Sequence, residues 1–260
     1  KLMNKLKVSS KRVRPLLGTF VEISIFSAGN FDTILTLAYD EAQKLENIFN
    51  LKNPKSEINN ITKTISPQLK EVLLVAEKIF IHSEGAFCPY RNDLNSTATI
   101  NSANSQDYDL NGIAKGFIVD QMVEKIVQQD PSLSGVINAG GDLRFFNCIE
   151  KNVHLRLGSM TKPIFRELQL TKNALASSSP SLSQYDAKSS TIYSKNLRPG
   201  LDSNPTVSVI ADTCMIADAL TKVGLIANSN IAQNCCLLYN AQMMIFNAKG
   251  ELTEVFGRYE

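Results

Sequence analysis

A chain of 260 residues, 43% hydrophobic and 20% charged, has the makeup of a globular protein with a core of its own. Its 27 basic and 25 acidic residues leave a formal charge of +2, too weak a field to demand nucleic acid or an anionic membrane surface. Five cysteines without metal-ligand spacing, and only two histidines, argue against a disulfide framework, a His-rich metal centre and any multi-histidine mechanism.

The opening residues KLMNKLKVSSKRVR are basic without interleaved aromatics, and residues 1–13 read as a solvated tail. The first residue is Lys rather than Met, and no apolar h-region stands at the start. An upstream segment is therefore expected, and a signal peptide within these residues is not. No stretch approaches the roughly 18–20 apolar residues of a membrane span.

LLGTFVEISIF (16–26) has the β-branched alternation of a strand. Residues 33–49 place Ile34, Leu37, Ala38, Leu45, Ile48 and Phe49 at helical spacing, and a second helix is expected over 67–83 after a polar stretch. Residues 91–107 are polar and aperiodic, a long loop or a weak hairpin. Gly112–Gln128 reads as a helix with Ile113, Phe117, Met122, Val123 and Ile126 inward. GVINAGGDLRFF (135–146) is a strand broken at Gly140-Gly141, and 153–159 with 165–170 form a strand pair.

NALASSSPSLSQ reads as a small-residue loop, and residues 186–205 are rich in turns. TVSVIAD is a strand, a helix follows over about 214–227, and CCLLYNAQMMIFNAKGELTEVF reads as hairpin strands turning at 247–250. The order predicts an α+β fold over residues 14–260, a single intertwined domain of mixed or antiparallel sheets with packed helices. The five cysteines (Cys88, Cys148, Cys214, Cys235, Cys236) read as buried free thiols, and His82 and His154 as structural.

Four stretches could carry chemistry. In DLNGIAKGFIVD (109–120), Asp109 precedes a helix whose first turn holds Gly112, Lys115 and Gly116. Bare N–H groups there suit a phosphate, although an N-cap Asp with packing glycines explains the same letters. INAGGDLR (137–144) lets a flat or phosphorylated group lie on Gly140 and Gly141, or simply turns. ALASSS (174–179) offers Ser177 and Ser178. In TCMIADALTK (213–222), Asp218, Thr221 and Lys222 share one helix face; Asp218 there needs a metal or Lys222 as its partner. Neither GxGxxG nor GxxxxGK[ST] occurs.

Together and in this order, these stretches resemble the FAD:protein FMN transferase family, also known as the ApbE family. RPLLGTFVEI resembles its opening strand, NLKNPKSEINNI its Asp-Pro-x-Ser-Glu segment, and GAFCPY its Gly-x-Phe-Asp-Pro-Thr. DLNGIAKG, INAGGD, ALASSS and SVIADTCMIADAL resemble its FAD loop, Gly-Gly turn, small-residue segment and metal-site helix. The likeness spans about residues 14–225.

Membership implies a T-fold-related α+β fold and a defined reaction. FAD and Mg²⁺ are bound, the pyrophosphate is cleaved, FMN is attached to a Thr or Ser of an acceptor protein, and AMP leaves. By match, Leu17, Lys52, Cys88, Pro89, Tyr90, Asp109, Lys115, Gly140, Gly141, Ser177 and Ser178 fall at cofactor positions. Gly112, Asp218 and Thr221 fall at the metal, with Asp218 and Lys222 at the reacting centre. Location at the bacterial periplasm or the outer face of the cytoplasmic membrane, as a lipoprotein, is a further implication of the resemblance; a cytoplasmic location is not excluded by the sequence.

The departures gather at the ligand. Lys52 replaces an aromatic Tyr, and Cys88 and Tyr90 replace Asp and Thr. The family's Tyr-Ser-His-x-x-Asp-Pro survives only as Tyr193-Ser194-Lys195-Asn196-Leu197-Arg198-Pro199, without its His and Asp. Lys222 stands where a Thr is expected four residues beyond Asp218, and its ammonium competes with Mg²⁺ for that carboxylate. Three readings stay open: a transferase of altered chemistry, a member that only binds flavin or a partner protein, and an interaction domain without flavin.

Overall fold

The expected strand over 16–26 is instead the middle of a hairpin. Ser10–Leu16 (β1) pairs antiparallel with Thr19–Ile25 (β2) through a turn in which Leu17 and Gly18 both take positive φ. β1 starts inside the basic stretch read as a tail because its arginines find partners. Arg12 pairs with Asp32 and bonds Thr36 at 2.9 Å, and Arg14 lies 4.7 Å over the Tyr39 ring. The computed structural model describes residues 8, 10–62, 64–90, 108–158, 163–180, 197–202 and 204–258.

Tyr39 belongs to the first helix, Asp32–Phe49 (α1), which buries Leu35, Ala38, Tyr39, Ala42, Leu45 and Phe49. The buried stripe is therefore turned slightly from the expected one, with Leu35 rather than Leu37 inward. Pro67–His82 (α2) starts on Ser66, whose hydroxyl accepts from Leu69 N–H, with Pro67 at the first helical position. Ala114–Gln129 (α3) buries Phe117, Met122, Val123 and Ile126 as expected. Cys214–Ile226 (α4) is apolar almost all round and is buried to match.

The remaining strands are Gly135–Ala139 (β3), Asp142–Phe146 (β4), Asn152–Gly158 (β5), Pro163–Gln169 (β6), Ala174–Ser178 (β7), Thr206–Ala211 (β8), Gln242–Phe246 (β9) and Leu252–Phe256 (β10). Eight form one sheet in the order β1-β2-β3-β4-β7-β8-β9-β10, every neighbour antiparallel. β5 and β6 make a separate antiparallel pair. This is the mixed helix and antiparallel-sheet architecture expected of the sequence.

Alternation divides the sheet into two faces. Val21, Ile23, Ile137, Ala139, Ala174, Ala176, Val207 and Val209 face the helices and the main core. Phe145, Leu175, Ile210 and Phe246 face away and bury Val153, Leu155 and Leu157 of β5. The stretch read as a small-residue loop is thus a central strand. Ala174 and Ala176 are small because α4 packs on β7.

The end of the chain also departs from expectation. Ser229–Leu238 (α5) takes up the Cys235-Cys236 pair, capped by Asn228 and burying Ala232, Cys235 and Cys236 at helical spacing. Only β9 and β10 form the hairpin. Three thiols are buried as expected, but Cys88 is exposed and Cys148 half-buried; all five are free. His82 ends α2 with Nδ1 2.9 Å from the Tyr239 hydroxyl beyond α5, a structural contact. Among the described residues no helix is long and apolar enough to cross a membrane.

Where α3 meets α4 the backbones touch. A Cβ on Gly116 would lie 2.4 Å from the Cys214 carbonyl oxygen and 2.8 Å from Met215 Cα. Gly116→Ala forces the helices apart and should lower stability by about 1–3 kcal/mol, the usual cost of overpacking. A fall in the urea midpoint checks this; an unchanged midpoint would show that the contact is not tight.

Candidate functional site

Three buried acids converge where α3 begins, and each holds a different cation. Their placement starts with the chain before α3. Asp109 does not cap the helix, whose N-cap is Ile113. Its Oδ1 accepts from Asn111 N–H at 3.0 Å, so it fixes the turn one step earlier, leaving Gly112 next to the first helical turn. The Phe87–Tyr90 loop lies alongside. Pro89 O accepts from Asp109 N–H at 2.7 Å, Tyr90 bridges to Tyr108, and Phe87 lies 3.3 Å from where a Gly112 Cβ would be.

Lys115, in the first turn of α3, reaches Asp142 with Nζ 2.7 Å from Oδ2. Asp142 opens β4 directly after Gly140 (φ +63°) and Gly141 (φ +105°), so these glycines are a hairpin turn whose main product is the position of the acid. Asn138 Oδ1 accepts from Gly141 N–H at 2.9 Å. The turn rests on Thr19, whose Oγ1 lies 2.6 Å from where a Gly140 Cβ would be. The Leu17 turn and the Gly-Gly turn are thereby neighbours at one end of the sheet.

Asp218 comes from the middle of α4. Its Oδ2 accepts from Gly116 N–H at 3.3 Å. Lys222, one turn on, pairs with Oδ1 and also donates to the Asp218 carbonyl at 3.1 Å. Thr221 donates to that same carbonyl at 2.7 Å and lies 2.8 Å from Ser178 Oγ. A hydroxyl has one proton, so Ser178 must be the donor to Thr221. Ser177 points to the opposite face of the sheet and pairs with Ser208 Oγ at 2.8 Å. The period of two therefore separates Ser177 and Ser178, which sequence reading grouped together.

The third acid, Asp120, lies one helical turn beyond Gly116. Its carboxylate accepts from Cys214 N–H at 2.9 Å and Met215 N–H at 2.8 Å, capping α4 from outside, while Thr213 Oγ1 takes Ile216 N–H. Arg144 Nε completes the pair at 3.1 Å. Asp120, Asp142 and Asp218 are 8%, 1% and 1% exposed, and Arg144, Lys115 and Lys222 balance them one for one. Asp120, Asp142 and Arg144 lie within the sequence motifs, but no local pattern marks them as site residues. The available signal was physical: an Asp opening an inner strand, or closing an apolar helical stretch, must find a cation.

Burial sets the ionisation pattern. It pushes Asp142 up, Lys115 opposing and Asp218 adding to the rise. Burial pulls the Lys115 ammonium down, but Asp142 and then Asp218 outweigh it and raise it above the ordinary lysine range. Burial, reinforced by Asp142, Asp120 and Asp218, lifts the Cys214 thiol well above its usual value, so Cys214 is a neutral packing group.

A divalent ion does not fit the residues as they stand. Lys222 holds Asp218, and the Thr221 hydroxyl is spent on a carbonyl and on Ser178. The Lys222 stem lies 3.4 Å from where a Gly112 Cβ would be, closing the approach from that side. Among the described residues no group of three or more His, Cys, Asp or Glu is placed to hold a metal. Thus Gly112, Lys115, Ser178, Asp218, Thr221 and Lys222 come together, with the Phe87–Tyr90 loop and Asp109 at their edge. No bond among the described residues joins Lys52 or Leu17 to this cluster. Lys52 is exposed after α1, and Leu17 N–H donates to Glu46 at 2.9 Å. Residues 193–196 of the altered His segment lie outside the described residues.

The family model described as "ApbE family" matches residues 90–243. No curated protein matches the chain. Among solved structures, the ApbE protein of Thermotoga maritima superposes with a TM-score of 0.69 at 17% identity, covering 94% of this chain and 96% of that one. The flavin transferase ApbE of Vibrio cholerae gives 0.70 at 14% identity, covering 95% and 96%. The apo flavinyl transferase ApbE of Pseudomonas stutzeri gives 0.67 at 13%, covering 96% and 94%. Likeness at such identities establishes the fold.

The Asp120 carboxyl carries a pH signature. Burial first, against the Met215 and Cys214 amides and Arg144, pushes it from 3.8 to about 6. The folded protein then binds this proton more tightly than the unfolded chain, so the group's contribution to stability falls as pH rises between about 4 and 6. The Tm of the native chain should fall relative to that of Asp120→Asn across this window. A native Tm that rises relative to that of Asp120→Asn across the window would refute the assignment.

Proposed function

From the chain's membership of the ApbE family, whose model matches more than half of it, we propose that this protein is a flavin transferase that binds FAD and passes FMN to an acceptor protein. The observation that carries this reading is convergence. Stretches far apart in sequence, 109–120, 137–144, 174–178 and 213–222, meet in one charged cluster at the start of α3. A scaffold with no anionic ligand has little reason to keep two lysines against two buried acids beside a glycine-rich helix start.

In the proposed reaction a Thr or Ser hydroxyl of the acceptor attacks the FMN phosphorus. The bridging P–O bond breaks, AMP leaves with that oxygen, and the hydroxyl proton is released. This chain's part is to hold and neutralise the pyrophosphate. Lys115 and Lys222 supply ammonium groups, Asp142 and Asp218 fix where those groups sit, and the Phe87–Tyr90 loop and Asp109 border the dinucleotide. The partner is a redox subunit carrying the modifiable hydroxyl, and the setting is the periplasmic face of a bacterial membrane.

The Lys222–Asp218 pair favours a second reading, in which FAD is bound without transfer. Incubating the chain with FAD and an acceptor fragment, with and without Mg²⁺, separates the two by mass. An acceptor heavier by one FMN, with AMP released, is the expected outcome. FAD binding with neither product establishes the second reading, and no binding overturns both. Lys115→Met should weaken FAD binding by roughly tenfold or more, the scale of one lost charge-assisted contact.

A further inference from the structure

We infer that Lys222 is a resident cation: its ammonium occupies the place on Asp218 that a divalent metal ion would need, so this site is built to work without metal. The inference concerns the ion and does not require that FMN be transferred.

The geometry is that of an occupied cation site. Lys222 Nζ contacts a side-chain oxygen and the main-chain oxygen of the same residue, Asp218, so two oxygen ligands converge on one positive centre. Two hard oxygens on a single residue are what a small divalent ion would also use. The surroundings hold the ammonium in place. Its side chain is 12% exposed and the Asp218 side chain 2%. Its stem runs beside Gly112, and Phe87, itself 3% exposed, lies against the same position, 3.3 Å from where a Gly112 Cβ would be. A metal could reach Asp218 only by expelling the lysine from this packed position.

Charge counting gives the same answer. The three acids Asp120, Asp142 and Asp218 are matched by Arg144, Lys115 and Lys222. A divalent ion taking the place of Lys222 in a cluster already neutral would leave one uncompensated positive charge beside largely buried acids. The hydroxyl at position 221 cannot restore a ligand set, because its proton and a lone pair are used within the fold. Lys222 has three N–H donors, of which two are spent on Asp218, and the third remains for an oxygen of an anionic ligand. The residue thus combines the charge of a cofactor with the permanence of a side chain.

Mn²⁺ titration of the full chain, followed by calorimetry and by the resonance of free Mn²⁺, tests this with and without FAD. The native protein should take up no stoichiometric Mn²⁺ in either condition. Lys222→Thr and Lys222→Met should each gain one site, at least about tenfold tighter than any native uptake, and adding Asp218→Asn should abolish it. One Mn²⁺ bound by the native chain and lost in Asp218→Asn would overturn the inference. So would folded Lys222 variants that bind no better than the native protein. The native arm decides even if a variant fails to fold, and the arm without FAD decides even if flavin does not bind.

Discussion

An aspartate whose side chain is only 2% exposed, set between two helices, is the constraint around which this protein is arranged. A buried side chain of this kind needs cations and N–H groups around it. Gly116 supplies an N–H and, lacking a Cβ, lets α4 come close enough to use it. Asp120 takes the first amides of α4 and so sets the helix at the height where Asp218 meets Gly116. Ser178 and Thr221 tie the same helix to β7. Breaking a buried pair of this kind costs about 3–5 kcal/mol, because one charge is left stranded. The exposed Lys44–Glu41 pair, at 3.7 Å on α1, belongs to a class worth about 0–1 kcal/mol.

Much of this frame was legible in the sequence. The α1 and α3 spacings marked real helices, and alternation marked β5, β6 and β8. Reading failed where side-chain size misled. ALASS looked like a loop because its residues are small, yet they are small because α4 lies against them. The hydrophobic run CCLL looked like a strand, yet Asn228 and the spacing of Ala232, Cys235 and Cys236 favour a helix. At the site, the i, i+4 placing of Asp218 and Lys222 put their contact within reach but left a metal as the other possible partner, and the structure makes the contact. The Lys115–Asp142 pair depends on two segments that only the sheet topology brings together, and no local pattern announces it.

A fold can persist where few residues are shared. Solved relatives of 13–17% identity share the fold across nearly the whole chain. Fold depends on many small apolar contacts, any one of which can be exchanged at modest cost. The site depends on a few charges at fixed distances, so one residue changes its character. A lysine four residues beyond an acid needs no rearrangement of backbone to reach it.

That one residue also shifts the balance between holding an anion and reacting it. Around Asp142 and Asp218, two negative charges meet the two positive charges of Lys115 and Lys222. A divalent ion in place of Lys222 would raise the positive total by one. An incoming pyrophosphate therefore meets one unit less of attraction than in a metal-filled site, about 4 kcal/mol at 4 Å for an effective dielectric near 20. The ammonium groups can offset part of this in the bound state by turning donors toward the phosphate oxygens. In the proposed reaction charge also builds on the leaving oxygen, and there one ammonium supplies less positive charge than a divalent ion would. On the proposed reading, Lys222 in place of a metal therefore costs flavin transfer more than it costs flavin binding.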